Sequence, residues 1–399
     1  MSIIATSRRV GAFALAAAFV VGACSSSATA APAASAAAPS SAAASAGGAS
    51  AGPSGAASTY RCTKGDGTLN GAGSTFINPL LSKMAGDYNT LCGVQVNYQS
   101  IGSGGGVKAW QQNTVDFGAS DAYLADSDMA AAAANGTPVE IPVTFGAVVV
   151  AYNLSGLSAP LKMTPDVVAG IFLGTITKWN DPALAAVNPG VNLPSTAISV
   201  VHRSDGSGTT SIFTKYLTAV SPAWVTQVGA GDPTKSAGKT VAWPLGQGAS
   251  GNEGVTQGIT GTDGAVGYID VAYAIQNHVP FADIQNKSGN FITPTLAAVA
   301  EAANLPSYPT DLRFDLVNTN APQGYPICGT TWIIVYQDLS KVLKSQARAN
   351  SLVDFIWWAI HAGQADAAPL DYGSLPPNLL AQDETAVKSI NWGGTPLLP

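Results

Sequence analysis

Leu69-Asn70-Gly71-Ala72-Gly73-Ser74-Thr75-Phe76 leads from an apolar start into a turn of glycines and hydroxyls. Just beyond it, Ile77, Leu80, Leu81 and Met84 recur at helical spacing. Apolar side chains three and four positions apart share one helix face, so 76–88 is predicted to be a helix. Strand, Gly/Ser/Thr turn, helix is the repeating unit of an α/β fold. The same unit returns at Gly102-Ser103-Gly104-Gly105-Gly106 and at Asp205-Gly206-Ser207-Gly208-Thr209-Thr210. Glycine lets the backbone approach a ligand closely, and hydroxyls add short donors. The helix that follows presents unpaired N–H groups and the positive end of its dipole. One such turn alone is an ordinary helix cap. Three in one chain, with Arg203 directly before the third, point to an oxyanion site in which a guanidinium forks onto two ligand oxygens.

Outward from these turns the same alternation continues. Val94–Gln99, Val115–Gly118, Ile198–His202, Gly264–Ile269 and Trp332–Tyr336 are predicted strands, and Phe145–Asn153 a buried one. The Gly102–Gly106 stretch is predicted to be a loop, with a helix from Val107 to Asn113. Thr164 and Pro165 mark a helix start, as N-cap and first helical residue. Thr210–Leu217 and Leu352–Ala362 are further helices. Asp126 and Ser127 are the expected caps of a helix starting there. The apolar runs at 147–152 and 331–336 are candidate crossings between two lobes. The fold class expected is α/β with mostly parallel pairing.

Length and composition narrow the function. The chain has 399 residues, with 11% charged against a usual ~25% and 46% hydrophobic. Its formal net charge of −6 argues against a nucleic-acid partner, which calls for a basic surplus. The only histidines are His202, His278 and His361. They make no ligand pattern with the cysteines, so neither metal nor zinc is expected. Gly71-x-Gly73 has Phe76 where a dinucleotide fingerprint carries its third glycine, and Gly238-Lys239-Thr240 lacks the earlier glycine of a phosphate loop because Pro233 stands there. Glu253 and Asp263, in the Gly-rich stretch 246–267, read as exposed loop acids rather than a working pair.

The N-terminus reads as an address. Arg8 and Arg9 precede the apolar run Val10 to Gly22, too short to span a bilayer, so 1–23 is predicted to be a signal peptide. Val21-Gly22-Ala23-Cys24 resembles a bacterial lipoprotein cleavage box, which makes Cys24 the expected lipidation site. From Ser25 to Ser58 only Ala, Ser, Thr, Pro and Gly occur, so 24–59 is expected to be a lipidated cysteine and a disordered tether. Export implies an oxidising compartment. Cys62, Cys92 and Cys328 remain, an odd number that allows one disulfide. Cys62–Cys92 is favoured because the two bracket one strand–helix unit, which leaves Cys328 as a small buried hydrophobe.

Several strings together resemble the periplasmic phosphate-binding proteins, the substrate-capturing component (PstS) of phosphate ABC transporters. They are Gly71–Phe76, Ile101–Lys108, Val115–Asp121, Arg203–Thr209 and Gly264–Tyr268, with Trp179 to Pro182 and Leu370-Asp371-Tyr372 as structural markers. The resemblance runs in order over nearly all of 69–376. It implies two α/β lobes closing on phosphate like a hinged trap, with 60–146 plus 325–399 as one lobe and 147–324 as the other. It implies phosphate donors at Thr75, Phe76, Ser103, Arg203, Ser207, Gly208 and Thr209, with Asp205 orienting Arg203. It implies that Asp121 accepts the proton that phosphate carries and sulfate lacks. It places Ser74 where many relatives carry Ala. No cofactor follows from it. The partners implied are phosphate, the permease subunits of an ABC transporter and the membrane through a lipid anchor, around a monomeric, exported, non-enzymatic protein. The rival readings are a phosphatase-type hydrolase, with His202 as the only histidine near the site, and a surface interaction protein that retains an oxyanion site.

Overall fold

A computed structural model describes residues 60–157 and 160–398. The signal peptide, Cys24 and the tether expected at 1–59 lie outside the described residues. The unit Thr59–Pro399 is compact and holds the whole sheet and core.

The opening stretch folds as its pattern predicts. Strand β1 (Thr68–Gly73) leads through the glycine turn into helix α1 (Asn78–Cys92). Helix α1 buries Leu80, Leu81 and Met84 and stops at Gly93, whose left-handed φ of 66° suits a residue without a Cβ. Strand β2 (Gln95–Ser100) follows, and a Cys62–Cys92 disulfide ties the incoming chain to the end of α1. Cys328 is free and buried.

Helix α2 (Ser103–Gln111) differs from expectation, since it begins inside the glycine run predicted to be a loop. Glycine costs a helix about 1 kcal/mol relative to alanine. Here the cost is offset by contact: any Cβ on Gly106 would collide with the backbone of Ala72 and Gly73. The glycines let α2 lie directly on β1. Strand β3 (Phe117–Ser120) then runs up to Asp121. Helix α3 (Asp126–Ala132) also corrects the sequence reading, because its N-cap position is Ala125 and Asp128 reaches back to accept the Ala125 N–H at 3.3 Å.

The centre is strand β4 (Pro138–Asn153), buried along nearly all of its length. Helix α4 (Pro165–Leu173) is capped by Thr164, whose Oγ1 accepts the Val167 N–H at 3.3 Å. Strand β5 (Ser199–Arg203) delivers Arg203, and helix α5 (Gly208–Val220) starts within the third turn. Strand β6 (Gln247–Ala249), helix α6 (Gly251–Thr260), strand β7 (Ala265–Asp270) and helix α7 (Val271–Gln276) complete this part. The Gly-rich stretch is therefore partly helical, and Glu253 stands on α6 rather than on a loop. Strands β8 (Leu316–Val317) and β9 (Ile327–Tyr336) and helices α8 (Gln346–Ile360) and α9 (Pro377–Lys388) close the chain.

The main sheet runs β2-β1-β3-β9-β4-β7-β5-β6, with β8 beside β9. Its outer pairs are parallel, whereas β9 runs antiparallel to β3, β4 and β8, and β4 antiparallel to β7. The expectation of mostly parallel pairing is thus corrected: two parallel flanks are joined through long antiparallel strands. Strand β4 changes partner midway. Residues Pro138–Ala147 pair with β9, and Val148–Asn153 pair with β7. The run 331–336 lies wholly beside the first half of β4, so the chain has already returned to that flank when β9 starts.

Candidate anion-binding site

The three glycine turns meet in one place. Gly104 N–H donates to the Gly206 carbonyl at 2.8 Å, which joins the second turn to the third. A Cβ on Gly208 would stand 2.5 Å from both Asp121 Oδ2 and Ser103 Oγ. Thr75, Ser103, Asp121, Arg203, Ser207 and Thr209 are all buried.

Asp121 sits just past the end of β3, 4% exposed. Its Oδ2 accepts from Ser74 Oγ at 2.6 Å and more weakly from Ser103 Oγ at 3.4 Å. Its Oδ1 accepts from Thr331 Oγ1 at 2.6 Å. Burial pushes its carboxyl up, while the Ser74, Thr331 and Ser103 hydroxyls and the Arg203 charge pull it down, leaving it at about 6. The group is a buried acid whose lone pairs are already shared among hydroxyls.

Arg203 ends β5 with a side chain 1% exposed. Its Nε donates to Asp205 Oδ1 at 2.7 Å and its Nη2 to Asp205 Oδ2 at 2.5 Å. The side-on fork expected to hold an anion is therefore occupied by Asp205, which fixes the plane of the guanidinium. Nη1 faces Thr209 Oγ1 at 3.4 Å, so the end-on Nη1–Nη2 edge is the part turned toward the site. Burial raises the Asp205 carboxyl, but the hydrogen bonds and charge of Arg203 outweigh it and leave Asp205 below the usual range.

The N-terminus of α5 supplies donors. Ser207 Oγ accepts the Thr210 N–H at 3.0 Å as N-cap, and its own hydroxyl proton stays available. The N–H groups of Gly208 and Thr209 belong to the first turn, which has no intrahelical acceptor for them. At the first turn of the chain Thr75 Oγ1 accepts from Asn252, with Nδ2 at 2.9 Å and the backbone N–H at 3.2 Å. Phe76 differs from expectation: its N–H donates to Ser74 Oγ at 3.0 Å.

Four residues that the resemblance did not name as ligand donors belong here. Ser74 is fully buried and bonds to Asp121, not to solvent. Asn252 also reaches Thr209 Oγ1 at 3.3 Å, and its Oδ1 accepts the Asp270 N–H at 3.1 Å. Ser250-Gly251-Asn252, leading from the end of β6 into the first turn of α6, has the same Gly/Ser grammar as the other three turns. Thr331 carries no such signal, since it lies inside an apolar strand. Asp270, buried at the end of β7, accepts the Ala272 N–H at 2.9 Å and the Tyr372 hydroxyl at 3.2 Å, and burial pushes its carboxyl well above the usual range.

His202 does not point into this arrangement as a base. Its ring stacks on Trp243 at 5.0 Å and its Nδ1 lies 3.0 Å from the Arg203 carbonyl. Glu253 accepts the Tyr273 hydroxyl and Asp263 the Ser155 N–H, so the two acids serve separate contacts. Among the described residues no group of three or more His, Cys, Asp or Glu side chains is placed to hold a metal.

A family model described as a PBP superfamily domain matches residues 41–361. The phosphate-binding protein PstS of Xylella fastidiosa is 40% identical over 319 residues, covering 79% of this chain and 84% of its own. The chain belongs to the PstS family. The PstS protein of Pasteurella multocida is likewise 40% identical, over 339 residues, covering 83% of this chain and 94% of its own. The PstS fold is also found in a solved high-affinity periplasmic phosphate-binding protein bound with phosphate, with a TM-score of 0.64, 22% identity, and coverage of 80% of this chain and 92% of that one.

Proposed function

We propose that this PstS-family chain binds inorganic phosphate outside the cytoplasmic membrane and delivers it to a phosphate ABC transporter. The observation that carries the reading is Asp121, a buried carboxylate set among anion donors. Phosphate at neutral pH keeps a proton and can donate it to that carboxylate, whereas sulfate presents only like charge. A buried charged group left without its partner costs several kcal/mol, enough for strong discrimination. Around it Arg203, Ser207, Gly208, Thr209, Thr75 and Ser103 supply donors to the remaining oxygens, and Asp205 orients Arg203. Phe76 joins them once its N–H exchanges Ser74 Oγ for a ligand oxygen.

Capture is a hinge closure of two lobes, 60–146 plus 325–399 and 147–324. The change of partner in β4 between Ala147 and Val148 supports that division. The signal peptide, the lipid on Cys24 and the tether keep the exported, monomeric receptor beside its permease subunits, a reading that rests on the residues of 1–59. The protein is a receptor and not an enzyme, supported by the packed ring of His202.

The test is calorimetric titration of the Thr59–Pro399 unit, stripped of carried-over phosphate, with phosphate and then sulfate. One-to-one phosphate binding with sulfate silent is expected. A folded unit that ignores phosphate would overturn the reading and favour a surface interaction protein.

A further inference from the structure

A cavity of about 420 Å³ opens between helix α3, the start of strand β4, the segment 310–313 and helix α9. That volume is in the range of small-molecule pockets. None of its lining residues belongs to the anion site. Met129, Val139 and Leu312 give it apolar walls, and Glu140, Gln382, Asp311 and Arg313 add polar ones. Glu140 is the decisive group. It is only 7% exposed, and its Oε1 accepts the Leu124 N–H at 2.7 Å. Its Oε2 has no hydrogen-bond partner among the described residues. Gln382 brings a second unused acceptor: its Nε2 donates to the Tyr308 carbonyl at 3.4 Å, while its Oε1 is buried without a partner. A buried acceptor left without a donor costs about 1–3 kcal/mol, so both groups favour an occupant that brings N–H donors.

The surrounding charge sets the sign of that occupant. Glu140 from β4 and Asp311 from the segment 310–313 line the cavity, with Asp126 and Asp128 of α3 beside it. The two cations nearby are already committed. Arg313 donates from Nε to Asp311 at 3.0 Å and from Nη1 to Asp126 at 3.4 Å. Lys239, whose charge also acts on Glu140, donates to Asp128 at 2.7 Å. Helix α9 faces the cavity with Gln382, Thr385 and Ser389, none of them charged. Four carboxylates therefore share two cations, and an anion is disfavoured. Burial pushes the Glu140 carboxyl up to about 7, against the pull of the Leu124 N–H, Arg313 and Lys239. We propose that this cavity is a second binding site, for a small organic cation: a primary ammonium that donates to Glu140 and Gln382, on a short apolar body that packs against Met129, Val139 and Leu312. The inference goes beyond phosphate capture and does not depend on it.

The test is calorimetry of the protein with hexylamine, hexanol and hexanoate, three probes that share an apolar chain and differ in the charge of its head. At pH 8 hexylamine should bind one-to-one, hexanol about tenfold more weakly, and hexanoate not at all, because a charge-assisted hydrogen bond is stronger than a neutral one. The ammonium needs Glu140 ionised, so hexylamine affinity should fall about tenfold from pH 8 to pH 6 as the carboxyl takes up its proton near 7. Glu140→Gln keeps the shape of the wall. It should bring hexylamine down to the level of hexanol and remove the pH dependence, while its phosphate titration stays that of the wild type and reports an intact fold. Ala386→Phe, which fills the cavity, should block hexylamine and hexanol alike. The wild-type comparison of probes and pH values decides the matter even where a variant does not fold. Hexylamine binding that is absent, no tighter than that of hexanol, or unchanged in Glu140→Gln overturns the proposal. A wild type that takes hexylamine but not phosphate overturns the function proposed above and leaves this site standing.

Discussion

Asn252 Nδ2 donates to Thr75 Oγ1 at 2.9 Å, joining the N-terminal turn of α6 to the first glycine turn of the chain. The same side chain reaches Thr209 Oγ1 and holds the Asp270 N–H, so one amide spans both flanks of the site. Asn252→Ala leaves three buried groups short of a partner. A buried unsatisfied group costs about 1–3 kcal/mol, so phosphate affinity should fall by about tenfold or more, with the loss read by calorimetry as a higher Kd. Unchanged affinity would show that Asn252 only packs.

Arg203 and Asp205 act as a pair. Arg203→Ala should abolish tight phosphate binding, and Arg203→Lys should restore little, because a single ammonium cannot both bind Asp205 in two places and present an edge to the ligand. Asp205→Asn keeps the shape but weakens the fork that fixes the guanidinium, so its binding should lie between wild type and Arg203→Ala. Titration of the three variants orders them, and an Asp205→Asn protein as weak as Arg203→Ala would make Asp205 more than an orienting partner.

Asp121→Asn replaces an acceptor-only carboxylate with a group that can also donate. Sulfate should gain far more than phosphate loses. Competition between the two anions measures this directly. If wild type and variant prefer phosphate equally, the carboxylate does not read the ligand proton.

Asp383 lies on α9, fully buried, with neither carboxylate oxygen hydrogen-bonded, and burial pushes its carboxyl up to about 9. The unfolded chain loses that proton near pH 4, so between about 4 and 9 the folded protein binds one proton more than the unfolded one. Stability from this group is therefore present below that window and declines as the pH rises through it. Asp383→Asn removes the ionisation and should raise the Tm at pH 8 relative to wild type by about 2 °C or more, with less effect at pH 5. Equal shifts at both pH values would mean that Asp383 is not held neutral.

The sequence by itself determined much of the local structure of this protein. Helical spacing after Phe76, the Thr164 cap, the Cys62–Cys92 bracket and the glycine turns each depend on residues close in the chain, where backbone geometry turns spacing into contact. The family motifs carried Asp121, Arg203 and the Ser207 turn for the same reason. Only the tertiary structure decided what completes the site. Thr331 bonds to Asp121 although 210 positions separate them, and Asn252 bonds to Thr75 across 177. Strand β9 inserts antiparallel between β3 and β4 with Trp332 opposite Ser120, and that register carries Thr331 to Asp121. The residues of an isolated strand show which face is buried but not which distant strand lies beside it, because pairing is settled by the packing of the whole sheet. Ser74 stood in plain view in the sequence, yet the direction of its proton followed only from the three partners that surround it in the fold.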